Sequence, residues 1–162
     1  SDVVFDSTYP IYVFKFINLH PATDSTVVKF QCSTDGGSNY NTTLTSTFFR
    51  AAHDEADSDT VFGYATGADI AQGTGFQDLN VTVGTDNDQC AVGILTLYAP
   101  ADTTHVKHFS FRGVNDNSGE YIADAFASGY FNTTSAIDAI QFKFASGNID
   151  SGKIKMYGLK DS

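Results

Sequence analysis

The chain has 162 residues, of which 41% are hydrophobic and 17% are charged, and this length and balance predict one globular domain over residues 1–162 rather than a disordered chain. Nineteen acidic residues against nine basic ones give a formal net charge of −10, so the protein as a whole repels nucleic acid and anionic membrane surfaces, and we expect neither as a partner. The sequence also contains no run of 18 apolar residues that would predict a membrane-spanning helix.

The first part of the chain alternates in hydrophobicity with the period of two that is typical of β-strands. The stretch YPIYVFKFIN is apolar on both of its faces, which predicts a central strand. In TVVKFQCS we expect Val28, Phe30 and Cys32 to point inward and Lys29 and Gln31 to point outward. The following TDGGSNYN favours a tight reversal, and therefore a hairpin that leads into the strand TTLTSTFFR.

The middle of the chain gives weaker signals. FFRAAHDEAD and GADIAQG each have the composition of one or two helical turns, and the glycines around them exclude anything longer. Between these two segments TVFGY indicates a short strand, and FQDLNVTVG further on is another extended stretch. We therefore expect at most short helical turns in the chain.

Four later strands are predicted in CAVGILTLYA, HVKHFSFRG, IDAIQFKFAS and KIKMYGLK. In the first of them a period of two places Cys90 on an apolar face with Val92 and Ile94. The next two are expected to turn the following residues inward: Phe109, Phe111, Ile140, Phe142 and Phe144. The turn SGNIDSG is expected to return the last strand antiparallel to residues 137–145. Eight or more strands in a chain of this size predict an all-β, antiparallel, jelly-roll-like β-sandwich.

No combination of residues predicts an enzyme. The sequence lacks a G-x-S-x-G elbow, a P-loop, a C-x-x-C pair and an H-E-x-x-H motif, so we assign no catalytic residue and no cofactor. Cys32 and Cys90 both lie on predicted apolar faces, and we expect two buried free thiols that behave as small hydrophobic side chains rather than a disulfide.

Two groups of residues have the side-chain types that bind metal ions. His105 and His108 are three residues apart, which on a strand turns their rings to opposite faces, so zinc is not expected. The acidic run from Asp54 to Asp59 is dense enough in carboxylates for a calcium ion, but it lacks the glycine and the distal glutamate of an EF-hand loop. A solvated acidic loop is therefore the preferred interpretation. His20 precedes a proline at a strand end, where a hydrogen-bonding role is expected.

Three stretches of this sequence resemble a known family: FINLHPATDS, FQCSTDGGSNYN and TTSAIDAIQFKFASGNIDSGKIKMYGLK. They are similar to the β-sandwich virion proteins of tailed bacteriophages, many of them marine, whose members share a strand that ends in N-x-H-P, a STDGGSNY turn and a terminal SGNI-x-SG-x-I-x-LYG strand. The resemblance spans the chain from about Tyr9 to Lys160, and Met156 stands where the family pattern has Leu. These motifs are structural and not catalytic.

The resemblance implies a non-enzymatic virion protein that is assembled in the host cytoplasm. The preferred role is a capsid decoration or cement subunit that binds the major capsid protein on the capsid surface as a homo-oligomer, with a trimer favoured. The alternative is a glycan- or receptor-binding module of a tail or head fibre, since jelly rolls also serve as lectins. A cement protein needs a broad apolar patch and a lectin needs a groove with exposed aromatic residues. Candidate residues for either surface are Tyr40, Tyr64, Tyr121, Tyr130 and Phe131.

Overall fold

The computed structural model describes residues 5–161, and every regular element in this part of the chain is a β-strand. The ten strands are β1 (Ile11–Pro21), β2 (Val28–Ser33), β3 (Leu44–Asp54), β4 (Thr60–Tyr64), β5 (Gln77–Asp78), β6 (Ala91–Tyr98), β7 (Lys107–Asp116), β8 (Tyr121–Phe131), β9 (Ala139–Phe144) and β10 (Ile149–Leu159). The helical turns expected in FFRAAHDEAD and GADIAQG are not found. Strand β3 continues through the first segment because it pairs with β8 as far as Asp54, and the second segment is a loop.

The strands form two antiparallel sheets that pack face to face, which confirms the predicted all-β sandwich. Seven strands make the large sheet in the order β10-β1-β6-β7-β8-β3-β4, and three make the small sheet in the order β5-β2-β9. One hydrophobic cluster, contributed by both sheets, fills the space between them. Within the described residues, nothing has the helical form, length and hydrophobicity that crossing a bilayer requires.

Phenylalanine rings join the two sheets in this core. Phe30 of the small sheet packs edge-on against Phe109 of the large sheet, with ring centroids 5.0 Å apart, and its centroid lies 5.9 Å from that of Phe131. Phe142 packs in the same way against Phe14 and Phe16, at 5.1 Å from each. Such edge-to-face pairs add a directional preference to the burial of apolar area, so they fix the position of one sheet over the other.

A pair of glycines on strands β6 and β7 leaves room for an aromatic ring. Gly93 lies opposite Gly113 in the register of these strands, and a Cβ atom at either position would collide with the ring of Phe111. The missing side chains therefore leave the space in which that ring packs.

The predicted pairing of the last strand with residues 137–145 is wrong. Strand β10 pairs with β1, where Met156 lies opposite Phe14 and Ile154 opposite Phe16, whereas β9 pairs with β2 in the other sheet. The turn after β9 carries the chain from the small sheet to the large one, and the backbone N–H of Ala22 anchors it by donating to the carbonyl of Asn148 at 3.0 Å. Sequence spacing favours a hairpin here, but the chain changes sheets instead.

The predicted hairpin around TDGGSNYN is also wrong, because β2 and β3 lie in different sheets. The reversal itself is real: Gly36 and Gly37 adopt positive φ values of 72° and 81°. Asp35 accepts hydrogen bonds from the backbone and the side chain of Asn39, at 2.9 and 2.7 Å. The turn crosses from one sheet to the other instead of joining neighbours within a sheet.

The predicted inward face of β2 is confirmed, with one correction. Val28, Phe30 and Cys32 are buried, but Gln31 is fully buried as well. Its side-chain N–H groups donate to the carbonyls of three loop residues, Thr42, Thr74 and Gly75. Loop backbone therefore covers what would otherwise be the outer face of the small sheet, and the glutamine satisfies carbonyls that water does not reach.

The inward residues of β7 and β9 are confirmed, since Phe109, Phe111, Ile140 and Phe144 are buried and Phe142 packs against the core. For β6 the predicted face is wrong. Val92 and Ile94 are exposed, and the core side is formed by Ala91, Leu95 and Leu97. Both faces of this strand are apolar, so hydrophobicity alone did not identify the buried one.

Candidate interaction surface

The outer face of the seven-stranded sheet, the side turned away from the core, carries most of the exposed hydrophobic residues. Although β1 is an internal strand, as predicted, only its Tyr12, Phe14 and Phe16 face is buried, and Ile17 on the other face is exposed. Of the exposed large hydrophobic residues in the described chain, all but Ile149 and Met156 lie on this outer face: Ile17, Phe49, Phe62, Tyr64, Val92, Ile94, Tyr98, Ile122, Tyr157 and Leu159. Exposed apolar residues gathered on one face are typical of interaction surfaces, which makes this face the candidate surface.

The centre of the outer face is held in place by aromatic and ionic contacts. The rings of Phe49 and Phe126 stack with centroids 4.7 Å apart and an interplanar angle of 5°. Arg112 lies over the ring of Phe126 at 5.0 Å and donates two hydrogen bonds to the carboxylate of Asp124. This row is flat and preorganised, so a partner would meet a surface that loses little side-chain freedom on binding.

Phe62 is the most exposed hydrophobic side chain of the described residues, with 85% of its surface accessible. It lies opposite Ala51 in the register of β3 and β4 and is therefore on the same outer face, beside Phe49 and Tyr64. The hydroxyl of Tyr64 donates to Asp69 at 2.7 Å, and this hydrogen bond raises the pKa of the tyrosine. The edge strand β4 thus adds an aromatic corner to the face.

The opposite corner of the outer face is basic. Lys15 lies opposite Lys155, and Lys153 lies opposite Ile17, so three lysines are neighbours on β1 and β10. We call Lys15, Lys153 and Lys155 the lysine corner. Lys15 Nζ lies 5.4 Å from the centroid of the Tyr157 ring, and the ion pairs found among the described residues include none of the three. This corner is therefore positively charged, whereas the protein as a whole has a net charge of −10.

The acidic run is a hydrogen-bonded turn. The Asp54 carboxylate accepts hydrogen bonds from the hydroxyl of Ser58 and from the backbone N–H groups of Ser58 and Asp59, and these bonds lower its pKa. Asp59 in turn accepts from the Tyr121 hydroxyl at 2.7 Å. Across residues 5–161, no three His, Cys, Asp or Glu side chains converge as metal ligands do.

Two of the three histidines considered above, His105 and His20, have local polar partners. His105 precedes β7, and its Nδ1 lies 3.1 Å from the carboxylate of Asp102. Backbone N–H groups of His105 and Thr104 help to hold the pKa of Asp102 at about 2. His108 lies exposed on the outer face. His20 at the end of β1 makes the expected hydrogen-bonding contact, with Nε2 3.3 Å from the carbonyl of Asp86.

The five candidate aromatic residues do not share one surface. Phe131 is fully buried and is no surface residue, which corrects its choice as a contact. Tyr64 and Tyr130 lie on the outer face. Tyr40 lines a cleft between β9 and β10, and Tyr121 lines a separate polar pocket. Sequence reasoning missed Phe49, Phe62, Val92 and Ile94, although the second apolar face of each strand was a usable signal.

The polar pocket, so called for four of its side chains, has a volume of about 280 Å³, and the rest of its lining is apolar: Ala52, Val61, Val81 and Ala123. Its polar side chains are Arg50, Asp59, Asn117 and Tyr121. The hydrogen bond to Asp59 raises the pKa of the Tyr121 hydroxyl. The guanidinium group of Arg50 takes part in none of the ion pairs among the described residues, so its donors are available to a ligand.

Both cysteines are free, as predicted, but only Cys32 is buried as expected. Cys32 is fully buried, and desolvation raises its pKa well above the usual value. Cys90 is half-buried, and its pKa is raised by burial and by the charge of Asp116. A raised pKa leaves little reactive thiolate at neutral pH, which gives neither residue the character of a nucleophile.

No protein-family model matches this chain, and a search of the curated proteins returns no match. The fold, its surfaces and the sequence motifs therefore carry the functional interpretation.

Proposed function

We propose that this protein is a non-enzymatic structural subunit of a bacteriophage virion, a capsid decoration or cement protein that binds the major capsid protein. The observation that supports this proposal most is the apolar outer face of the large sheet. The resemblance of the sequence motifs to phage virion proteins supports the same role, and the sandwich offers this face as a ready contact surface.

The size of the outer face fits such a contact. Six spacings of ~4.8 Å between seven strands give a width of about 29 Å, and eight residues at ~3.4 Å give a length of about 27 Å. The product, about 780 Å², is an upper bound for the whole face, polar and charged side chains included, and it is of the order of the roughly 800 Å² that each partner contributes to a standard protein interface. One such face per subunit suffices for a specific contact, and a homotrimer would multiply it through avidity.

The charge of the protein is compatible with this location. The net charge of −10 keeps a repeated surface protein soluble and keeps it away from packaged DNA. No nucleic acid or membrane partner is part of the proposal.

The first test is the copy number of the protein in purified virions, measured by gel densitometry against the major capsid protein. Hundreds of copies per particle are expected for a decoration subunit. A handful per particle would contradict the proposal and favour a tail or fibre location.

The second test is binding of the purified protein to capsids that lack it. Phe62→Asp and Ile94→Asp place a charge on the outer face at exposed positions, so we expect both to weaken binding while the fold is kept. Ile149→Asp is the matched control, because Ile149 is an exposed isoleucine outside this face. Equal binding by all three variants would refute the role of the outer face.

A glycan- or receptor-binding module of a phage fibre is the second candidate, and the polar pocket favours it. Arg50, Asp59, Asn117 and Tyr121 combine the amide, carboxylate and aromatic groups that hold sugars in a shallow site. Binding to immobilised glycans that is lost in Tyr121→Ala, together with a low copy number, would support this alternative.

A further inference from the structure

The sandwich is open along one long side. Strand β10 is the last strand of the large sheet and β9 is the last strand of the small sheet, so within residues 5–161 each has one edge without a neighbouring strand. A cleft of about 430 Å³ lies between these two edges. Its lining includes Phe14, which is fully buried, and Phe142, which is partly exposed, so the aromatic core forms the floor of the cleft.

The two faces of β10 differ in chemistry. Ile154 and Met156 line the cleft, and Met156 is 44% exposed although it is a large apolar side chain. Lys153 and Lys155 alternate with them and belong to the lysine corner on the outer face, where Tyr157 and Leu159 continue the strand. A strand placed against this free edge would likewise alternate between the cleft and the lysines.

The charge of the lysine corner determines what such a strand should carry. Lys15, Lys153 and Lys155 belong to none of the ion pairs among the described residues, and the protein around them is acidic. Lysines at a sheet edge discourage pairing with other chains in general. An acidic segment is the exception, since its carboxylates would pair with the lysines that repel other strands.

We propose that the free edge of β10 accepts an extended segment of a partner protein as an eighth strand of the large sheet. Alternate residues of this segment are apolar and enter the cleft beside Ile154 and Met156, and the residues between them are acidic and lie over Lys153 and Lys155. Main-chain hydrogen bonds supply affinity in this mode of recognition, and the side chains supply selectivity. The inference goes beyond the capsid role and uses a different surface from the centre of the outer face.

The length of the segment is limited by an irregularity in β10. The register between β1 and β10 shifts after Ile17, and Gly152 adopts a φ of 109° where a Cβ atom would collide with the backbone of Asn18. The regular part of the edge is therefore the seven residues from Lys153 to Leu159. A bound segment of about seven to nine residues fits this stretch.

The probe for this inference is a fluorescent, acetylated nine-residue peptide that alternates valine with glutamate, and binding to the full chain is measured by fluorescence anisotropy. We expect saturable binding that weakens with salt, and no binding of the same peptide with lysine in place of glutamate. Lys155→Glu should weaken binding about fivefold, because one attractive pair becomes repulsive. Lys160→Glu, the same charge change just beyond β10, should leave it unchanged.

A second pair of peptides tests the backbone pairing itself. In a strand, the N–H groups that point to one side belong to alternate residues, so methylation of all valine nitrogens or of all glutamate nitrogens blocks opposite edges. We expect one methylated series to lose binding and the other to keep it. Equal binding of both series, equal binding of the lysine peptide, or an unchanged affinity in Lys155→Glu would each overturn the proposal.

Discussion

Replacement of Phe30 by alanine is the most direct test of how the two sheets are held together. Phe30 is fully buried, and its ring contacts the rings of Phe109 and Phe131 across the core. Truncation of a buried phenylalanine costs about 3 to 5 kcal/mol of the free energy of unfolding, and the loss of two aromatic pairs places Phe30→Ala in the upper part of that range. Since small proteins have only about 5 to 15 kcal/mol of stability, this is a large share of the total.

The measurement is urea unfolding followed by circular dichroism and by tyrosine fluorescence, which is convenient because the chain contains eight Tyr and no Trp. With a slope of about 2 kcal/mol per molar urea, a loss of about 4 kcal/mol lowers the unfolding midpoint by about 2 M. Phe62→Ala is the matched control: the same atoms are removed from a side chain that is 85% exposed, and a change below about 0.5 kcal/mol is expected. A loss below about 1 kcal/mol in Phe30→Ala, or equal losses in the two variants, would refute the reasoning.

Three further predictions concern other parts of the chain. A thiol reagent whose product absorbs light should react with half-buried Cys90 before Cys32. Cys32 should become accessible only on unfolding, and equal reaction rates of the two thiols in the folded protein would contradict this. The hydrogen bonds from Asn39 hold the pKa of Asp35 at about 2, against an ordinary value of 3.8, so its contribution to stability is present above pH 3.8 and is lost as the pH falls through 2. When the pH is lowered between these values, the melting temperature should therefore fall less in Asp35→Asn than in the native protein. Equal falls in melting temperature would argue against this role of Asp35. Removal of residues 149–162 should uncover the edge of β1 and the face of Phe14, giving insoluble protein; a soluble monomer would count against the pairing of β1 with β10.

Local periodicity identified those strands whose two faces differ clearly. In β9, Ile140 and Phe144 are apolar and Gln141 and Lys143 are polar, so the buried face was correctly predicted. In β6 the outer Val92 and Ile94 are as apolar as the inner residues, and the pattern gave the wrong face. The only sign of the outer face in the sequence is that these strands contain more apolar residues than one buried face needs. The sequence interpretation took those residues to be buried.

Pairing between distant strands was beyond the reach of sequence reasoning. Turns near Gly36 and Gly147 were correctly expected as reversals, but each one carries the chain from one sheet to the other. A turn sequence specifies local dihedral angles and does not say whether the next strand joins the same sheet. Gln31 was placed outward for a related reason, because its burial depends on loops that contribute carbonyls from distant residues.

The pairing of β1 with β10 bears on how the protein is made. Strand β1 is synthesised before the other described strands, but its partner on one side is β6 and on the other is β10, the last of them. The β6-β7-β8 meander has only local connections and is expected to form first, since contacts close in sequence cost the least chain entropy. Until translation reaches Leu159, β1 presents an unpaired edge, and contact with other nascent copies favours misassembly. High-level synthesis therefore places a demand on chaperones that the stability of the finished sandwich does not reveal.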